Sequence, residues 1–223
     1  MINILFEDNH IIVAEKPYCM LSQADITGDP DILTELKKIL KKKYNKPGNV
    51  FLGLVHRLDK NVGGVMVFAK TSKAASRLSK QVASHTFQKK YYAVVEGVLK
   101  EPTGTLKNFL LKSESERRTI ALDKPTKDAK YAELSYKVIT SKDNLSMLDI
   151  DLKTGRAHQI RAQLANIGHP ILGDKLYIEG IRDSSAPIAL FAYSLEFLHP
   201  ITQVKQKFIV KTPDEYPWSI FKL

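Results

Sequence analysis

The chain has 223 residues, of which 43% are hydrophobic and 26% are charged, and these proportions are typical of one soluble globular domain. No apolar stretch is long enough to span a bilayer, and the acidic N-terminus, MINILFEDNH, lacks the apolar core of a signal peptide. The one cysteine, Cys19, excludes an internal disulfide and a zinc site built from several cysteines. A cytoplasmic protein is therefore expected.

The net charge of +10 is the most informative bulk property of the chain. A basic surface attracts polyanions, so RNA or DNA is the expected partner. The alternative is that the lysines serve solubility alone. Charge by itself therefore suggests a nucleic-acid partner without establishing one.

In the N-terminal half, ILFEDNHIIVAEKP predicts two short strands around an Asp-Asn turn, ended by Pro17. DPDILTELKKILKKKY predicts an amphipathic helix capped by Asp29 or Asp31, and its second face carries lysines that are either solvated or directed at phosphates. GLVHRLDKNVGGVMVFAK predicts a strand, a turn and a second strand, and a helix follows over about residues 71–85.

In the C-terminal half, KKYYAVVEGVL predicts a strand, and residues 101–130 predict a short hairpin followed by an exposed loop. Two further strands are predicted in AKYAELSYKVIT and LSMLDIDLK. A turn and a helix are predicted in TGRAHQIRAQLANIGHP, and two late strands in PIALFAYSLEFLHP and KQKFIVKTP. Strands outnumber helices and short turns join most of them. The sequence therefore predicts an α+β fold, a mixed, mostly antiparallel β-sheet core flanked by helices, in a single domain over residues 1–223.

Several common chemistries lack their motifs. The chain has no nucleotide-triphosphate loop, no dinucleotide fingerprint after a strand and no G-x-S-x-G nucleophile turn. Its six histidines include no i, i+4 pair of the kind that binds metal on a helix. An enzyme built from this sequence is expected to need neither metal nor cofactor, and to use carboxylate, phenol and guanidinium groups.

Three segments carry such groups. Asp59 of HRLD is predicted at a strand end beside a turn, and the two tyrosines of KKYYAVVEG must point to opposite faces of their strand. In TGRAHQIR, Arg156, His158 and Arg161 crowd the start of a helix, where His158 and Arg161, three apart, share a face. Each segment also has an ordinary reading, as a surface ion pair, core tyrosines or solvated arginines. Together, in a basic chain, they suggest a polyanion-binding cleft that holds one carboxylate.

HRLDKNVGGVMVFAK, KKYYAVVEG and TGRAHQIRAQLANIGHPILGDKLY resemble the three signature blocks of the RluA-type pseudouridine synthases. The resemblance extends from ILFEDNHIIVAEKP to LFAYSLEFLHP, which is nearly the whole chain. It implies an RNA uridine isomerase without metal or cofactor, a central RNA-binding cleft, a flipped-out target uridine in structured ribosomal or transfer RNA, and a monomer with no membrane association.

The resemblance also implies roles for individual residues. Asp59 matches the catalytic aspartate, Tyr91 the tyrosine that stacks on the target base, and Arg161 the arginine paired with that aspartate. Leu190 matches an apolar residue of the pocket, and Arg57 a residue that, in some relatives, occupies the space of the flipped nucleotide. The remaining residues predicted to bind RNA or the base come from the same blocks: His56, Arg156 and His158.

The sequence departs from the family pattern in two places. Val62, Gly63 and Gly64 stand where Thr-Ser-Gly is usual, which removes two hydroxyls and makes the predicted turn more permissive. Phe191 stands where a histidine is common. No separate S4-type RNA-binding domain is expected, because ILFEDNHIIV already begins the catalytic block.

Two other functions remain open. One is an RNA-binding or RNA-chaperone protein on the same scaffold. In that case the altered sequence at Val62, Gly63 and Gly64 would indicate that catalysis has been lost. A DNA glycosylase that excises a base is the third possibility. Binding alone does not require a carboxylate, a tyrosine and an arginine together, and this favours the synthase.

Overall fold

The computed structural model describes residues 2–113, 115, 118–178 and 187–221. By its internal contacts the chain divides into two compact units. The first unit comprises Met1–Phe87 and Ser194–Val210, and the second comprises Gln88–Tyr193 and Lys211–Leu223. The expectation of a single domain stays a prediction.

The helices and strands follow the chain in this order: β1 (Asn3–Glu7), β2 (Ile11–Lys16), α1 (Ile32–Lys43), β3 (Gly53–Leu54), β4 (Gly63–Ala69), α2 (Ser72–Ala83), β5 (Gln88–Glu96), β6 (Thr103–Ser113), β7 (Arg118–Leu122), β8 (Lys130–Lys142), β9 (Leu145–Leu152), α3 (Gln159–Asn166), α4 (Lys175–Ile178), β10 (Leu190–Leu198), β11 (Lys205–Ile209) and a 3₁₀ turn (Trp218–Ile220). Every strand pair described within either unit is antiparallel. The predicted α+β class with a mostly antiparallel sheet is thereby confirmed.

The first unit is built around β2, which pairs with β1 on one side and β4 on the other. The predicted turn before β2 is closed by the Asp8 carboxylate, which accepts the N–H groups of His10 at 2.7 Å and Ile11 at 2.8 Å. Ile11–Ala14 and all of β4 are buried, as expected of strands covered on both faces. The core of this unit therefore lies along β2 and β4, and β4 directly follows the segment that bears Asp59.

Side-chain caps begin both helices of the first unit. The Asp31 carboxylate accepts the Thr34 N–H at 2.8 Å at the start of α1, and the Thr71 hydroxyl accepts the Ala74 N–H at 3.1 Å at the start of α2. The buried side of α1 consists of Ile32, Leu36 and Leu40, while its last turn carries exposed lysines. Both predicted helices are confirmed to within two residues of their predicted ends.

In the second unit, five strands pair in the order β5-β9-β8-β6-β7. The arm formed by β6 and β7 is longer than the short hairpin that the sequence predicted, since β6 alone has 11 residues. Most residues of β6 are half-buried or exposed, and the strand carries lysines and an asparagine. This composition is more typical of a loop than of a strand. The segment nevertheless forms a long strand, because β6 pairs with both β7 and β8.

Helix α3 packs against this second sheet, where Leu110, Ala132 and Ala162 form a buried cluster. Ile160 and Leu164 of α3 are buried, whereas Ile167 follows the last helical residue and is 36% exposed. None of the helices among the described residues has the length and apolar character that crossing a membrane requires.

Candidate functional site

Asp59 lies in residues 55–62, an irregular stretch between β3 and β4 that we call the Asp59 segment. β3 ends at Leu54, so Asp59 is not at a strand end as predicted but well beyond it. A turn follows, in which the Val62 N–H donates to the Asp59 carbonyl oxygen at 3.1 Å. Asp59 is half-buried, whereas Arg57 is exposed.

The residue before Asp59 is fixed by a buried hydroxyl. Ser22 Oγ accepts the Leu58 N–H at 3.0 Å and donates to the Leu58 carbonyl oxygen at 2.7 Å. Both backbone groups of Leu58 are therefore satisfied by one side chain, and the Leu58 side chain is itself buried. This contact fixes the backbone at the N-terminal side of Asp59.

The residue after Asp59 is fixed by a buried ammonium group. Lys16 is fully buried, and its Nζ donates to the carbonyl oxygens of Pro17 at 3.0 Å, Met20 at 2.6 Å and Lys60 at 3.1 Å. Burial lowers the pKa of Lys16 to about 8, while the negative charge of Asp59 acts to raise it. Asp59 is thus held between two anchored neighbours and lies in the field of a buried cation.

His56, predicted to bind RNA or the base, is a buried residue in this structure. Its Nε2 accepts the Val67 N–H of β4 at 3.1 Å, so this nitrogen carries no proton. The ring also packs on Phe87, with the ring centroids 5.2 Å apart. These contacts give His56 a structural role in fixing the Asp59 segment to β4, and its contact with RNA stays a prediction.

Gly63, which departs from the family pattern, and Gly64, which matches it, are both strand residues. Gly63 and Gly64 are buried and begin β4, where Gly64 pairs with Lys16 of β2, so their predicted place in the turn is wrong. Gly64 has a φ of 126°, a conformation that side-chain-bearing residues rarely adopt. Glycine at position 64 therefore serves the backbone conformation at the strand start.

In the second unit, Tyr91 lies in β5 opposite Ile150 of β9 and is only 6% exposed. Tyr92 points to the other face and stacks on Tyr193, with ring centroids 3.8 Å apart and planes within 5° of parallel. The expected division of the two tyrosines between opposite faces is confirmed. Of the pair, Tyr91 is the more buried residue.

Arg161 forms a buried ion pair in α3. Its Nε donates to Asp174 Oδ2 at 2.6 Å and its Nη2 to Asp174 Oδ1 at 2.7 Å, which is the parallel geometry that arginine and carboxylate prefer. The guanidinium carbon also lies 5.2 Å from the centre of the Tyr177 ring. Arg161, Asp174 and Tyr177 form what we call the Arg161 cluster.

The other two residues of this block differ in exposure. His158 precedes the helix in a left-handed conformation with φ of 50°, and its Nδ1 lies 3.4 Å from the Tyr177 hydroxyl. His158 and Arg161 therefore both face Tyr177, although His158 is outside the helix that was expected to place them together. Arg156 is exposed, and its Nε donates to the Tyr131 carbonyl oxygen at 2.9 Å.

A chain of buried amides fixes α3 in place. Thr154 Oγ1 donates to Gln159 Oε1 at 2.8 Å, and Gln159 Nε2 donates to Gln163 Oε1 at 3.0 Å. Gln163 Nε2 in turn donates to Asn108 Oδ1 of β6 at 2.9 Å. Such a satisfied network gives the helix one orientation on the sheet, and so fixes the direction in which Arg161 leaves it.

Leu190 begins β10 and is 4% exposed. Phe191, where the family commonly has histidine, is also buried, and its ring meets that of Trp218 edge-on at a centroid distance of 6.3 Å. An apolar residue at position 191 therefore has a packing partner.

Three residues of these clusters were not identified from the sequence: Lys16, Ser22 and Asp174. Lys16 ends a predicted strand and Asp174 follows a glycine in LGDKLY, positions at which neither residue type is unusual. Their importance arises from partners that are remote in the chain. Within the described residues, no cluster of three or more His, Cys, Asp or Glu side chains is arranged to hold a metal ion.

The fold and these blocks define the class of the RNA pseudouridylate synthases. Residues 10–166 match the family model described as RNA pseudouridylate synthase, which is more than half of the chain. The chain therefore belongs to this family, as its resemblance to the RluA-type enzymes predicted. The matched range includes Asp59, Tyr91 and Arg161, whereas Leu190 lies outside it.

Two relatives and one solved structure show the extent of the likeness. A Bacillus subtilis protein that is named as an uncharacterized RNA pseudouridine synthase is 34% identical over 206 residues, which are 90% of this chain and 65% of that protein. The ribosomal large subunit pseudouridine synthase D of Zymomonas mobilis is 32% identical over 226 residues, 96% of this chain and 70% of that protein. The chain thus spans about two thirds of the length of these relatives.

The structure titled human RNA pseudouridylate synthase domain containing 4 has the same fold. It superposes with a TM-score of 0.78 at 23% identity, covering 95% of this chain and 88% of that one.

Proposed function

We propose that the chain is an RNA pseudouridine synthase that isomerises one or more uridines of structured ribosomal or transfer RNA, with Asp59 as its essential catalytic group. The observation that carries the proposal is the family match over residues that include Asp59, Tyr91 and Arg161. The Zymomonas relative is named for the large ribosomal subunit, which makes ribosomal RNA the first substrate to test.

The reaction breaks the N1–C1′ bond of uridine, turns the uracil and joins C5 to C1′, so that the C5 proton is released and N1 gains one. A base inside a helix must first be extruded, at a cost of a few kcal/mol. Stacking on Tyr91 would recover about 1–3 kcal/mol of that cost. Arg57, exposed on the Asp59 segment, is suited to fill the space that the nucleotide leaves.

Asp59 has to act as a carboxylate. It attacks C1′ or the ring as a nucleophile, or removes a proton at the 2′ carbon as a base. Either route needs a fixed position, which Ser22 and Lys16 supply through the residues on each side of Asp59. The buried Lys16 ammonium also interacts electrostatically with Asp59, so a fixed cation acts on the residue proposed as the catalytic group.

Arg161 is proposed to act on the same reaction as the partner of the catalytic aspartate. Its orientation is set by Asp174, which takes two of the five N–H donors that a guanidinium carries. One carboxylate therefore does not exhaust the binding capacity of this arginine. Its pairing with Asp59 stays a prediction, which the activity of substituted chains has to test.

Tritium release from RNA that carries 5-tritiated uridine tests the proposed function directly. Formation of the C5–C1′ bond expels the label, so a synthase releases tritium in proportion to pseudouridine formed. An RNA-binding protein without catalysis would release none, and a glycosylase would leave free base. Mapping pseudouridines in total RNA with and without the protein would then identify the modified positions.

A further inference from the structure

Lys89 is a cation of β5 that the roles given so far do not use. It lies two residues before Tyr91, so the two side chains leave the same face of the strand. Its backbone pairs with Leu152 of β9, next to the loop 153–158 that leads into α3. Lys89 is only partly exposed to solvent.

The Lys89 ammonium group has no acidic neighbour in the part of the chain that the structure describes. No carboxylate lies within 4 Å of its Nζ there, and no acceptor binds it. Burial lowers the pKa of Lys89, and no nearby charge acts against this. By contrast, the adjacent Lys90 points to the other face, where its Nζ is 3.9 Å from Asp149 Oδ2.

The ammonium group lies against Gly155. A Cβ atom added at Gly155 would lie 2.9 Å from Lys89 Nζ, closer than real Cβ atoms approach a neighbour. The absence of a side chain at position 155 therefore leaves the space that the ammonium group occupies. The next residue, Arg156, is exposed, so two cations border the same short loop.

A partly desolvated cation without an acidic partner is costly in the free protein, and a bound anion removes that cost. In a chain of net charge +10 from an RNA-modifying family, the abundant anion is the RNA backbone. We propose that the Lys89 ammonium group binds a phosphate of the RNA strand that carries the target uridine. This inference rests on the proposed function and adds a substrate contact to it.

The experiment measures the affinity of a labelled RNA hairpin with a uridine-containing loop at several KCl concentrations. Lys89→Met removes the charge and keeps the apolar stem, and Lys90→Met is the matched control on the opposite face. We expect Lys89→Met to weaken binding roughly 10- to 100-fold and to reduce the slope of log K against log salt by about 0.7–0.9, the effect of one lost phosphate contact. Lys90→Met should leave that slope unchanged.

Gly155→Ala provides an independent variant, because it displaces the ammonium group without removing its charge. It should weaken RNA binding in the wild-type chain and have no further effect in Lys89→Met. Equal salt slopes for Lys89→Met and the wild type, or additive effects of the two substitutions, would overturn the inference. If Lys89→Met reduces the slope of log K against log salt but the wild-type chain releases no tritium, the phosphate contact is supported and the proposed function is contradicted.

Discussion

Arg161 and Asp174 are joined by two parallel hydrogen bonds, of 2.6 and 2.7 Å, between side chains that are 4% and 1% exposed. Because the guanidinium plane is fixed at both donors, the arginine has one orientation in the second unit. The buried amides of α3 fix the backbone from which it extends. A residue proposed to act on a reacting nucleotide is thus held by protein contacts before RNA binds, as preorganised sites require.

Asp174→Asn should cost about 3–5 kcal/mol of unfolding free energy, because it removes the negative charge from a buried ion pair and leaves the Arg161 charge in place. Asp151→Asn is the control, since Asp151 pairs with Lys153 at the exposed surface and should contribute no more than about 1 kcal/mol. Urea unfolding of both variants measures the difference. Similar losses of unfolding free energy in the two variants would show that the buried Arg161–Asp174 pair stabilises the fold no more than the Lys153–Asp151 pair at the surface.

Arg161→Lys should lose most of the tritium-release activity. Lysine keeps the positive charge but cannot form two parallel hydrogen bonds with one carboxylate. The assay should be run well below the unfolding midpoint of the variant, so that the loss reflects turnover by folded protein. Full activity in Arg161→Lys would contradict a role for the guanidinium geometry.

Replacement of Tyr91 separates its ring from its hydroxyl. Tyr91→Phe should retain RNA affinity, whereas Tyr91→Ala should weaken binding roughly 5- to 150-fold if one base stacks on the ring. Tyr92→Phe is the neighbouring control, because Tyr92 stacks on Tyr193 at the other face of β5. Unchanged RNA affinity in Tyr91→Ala would exclude Tyr91 as the stacking residue.

The stability of the first unit should depend on pH through Lys16. The pKa of Lys16 is about 8 in the folded chain and 10.5 as a free side chain, because burial lowers it more than Asp59 and Cys19 raise it. Between these two values the unfolded chain keeps a proton that the folded chain releases. The contribution of Lys16 to the unfolding free energy therefore rises with pH over this window, by about 3 kcal/mol at most.

Urea unfolding of the wild type and Lys16→Met at several pH values between 7 and 10 measures this contribution. The difference between the two chains should be constant below about pH 8 and change in favour of the wild type above it. Lys153→Met, which alters an exposed lysine, serves as the control. A difference that does not vary with pH would show that Lys16 is not desolvated in the folded chain.

Local features of the fold could be predicted because their signals lie close together in the chain. The residue types before α1 narrowed its cap to Asp29 or Asp31, of which Asp31 is the cap, and the opposite faces of Tyr91 and Tyr92 follow from the alternation of a strand. The family blocks then supplied Asp59 and Arg161 as candidates. Periodicity could not show where the Asp59 segment begins, since β3 has only two residues.

The supporting contacts could not be predicted because they join distant positions. Lys16 meets the carbonyl of Lys60, 44 residues away, and Ser22 meets Leu58, 36 residues away. Gly64 was assigned to a turn because glycine marks turns, whereas here a positive φ occurs at the start of a strand. The position of each residue thus depends on a tertiary contact or a backbone conformation that cannot be inferred from its neighbours in the sequence.

Asp59→Asn removes the carboxylate that we propose to be essential for turnover and changes little else in the side chain. The variant should fold and bind RNA like the wild type yet release no tritium above background, because an amide can act neither as the nucleophile nor as the base. Asp151→Asn, which alters a partly exposed acid, should release tritium at the wild-type rate. Wild-type tritium release by Asp59→Asn would show that the Asp59 carboxylate is not required for the reaction.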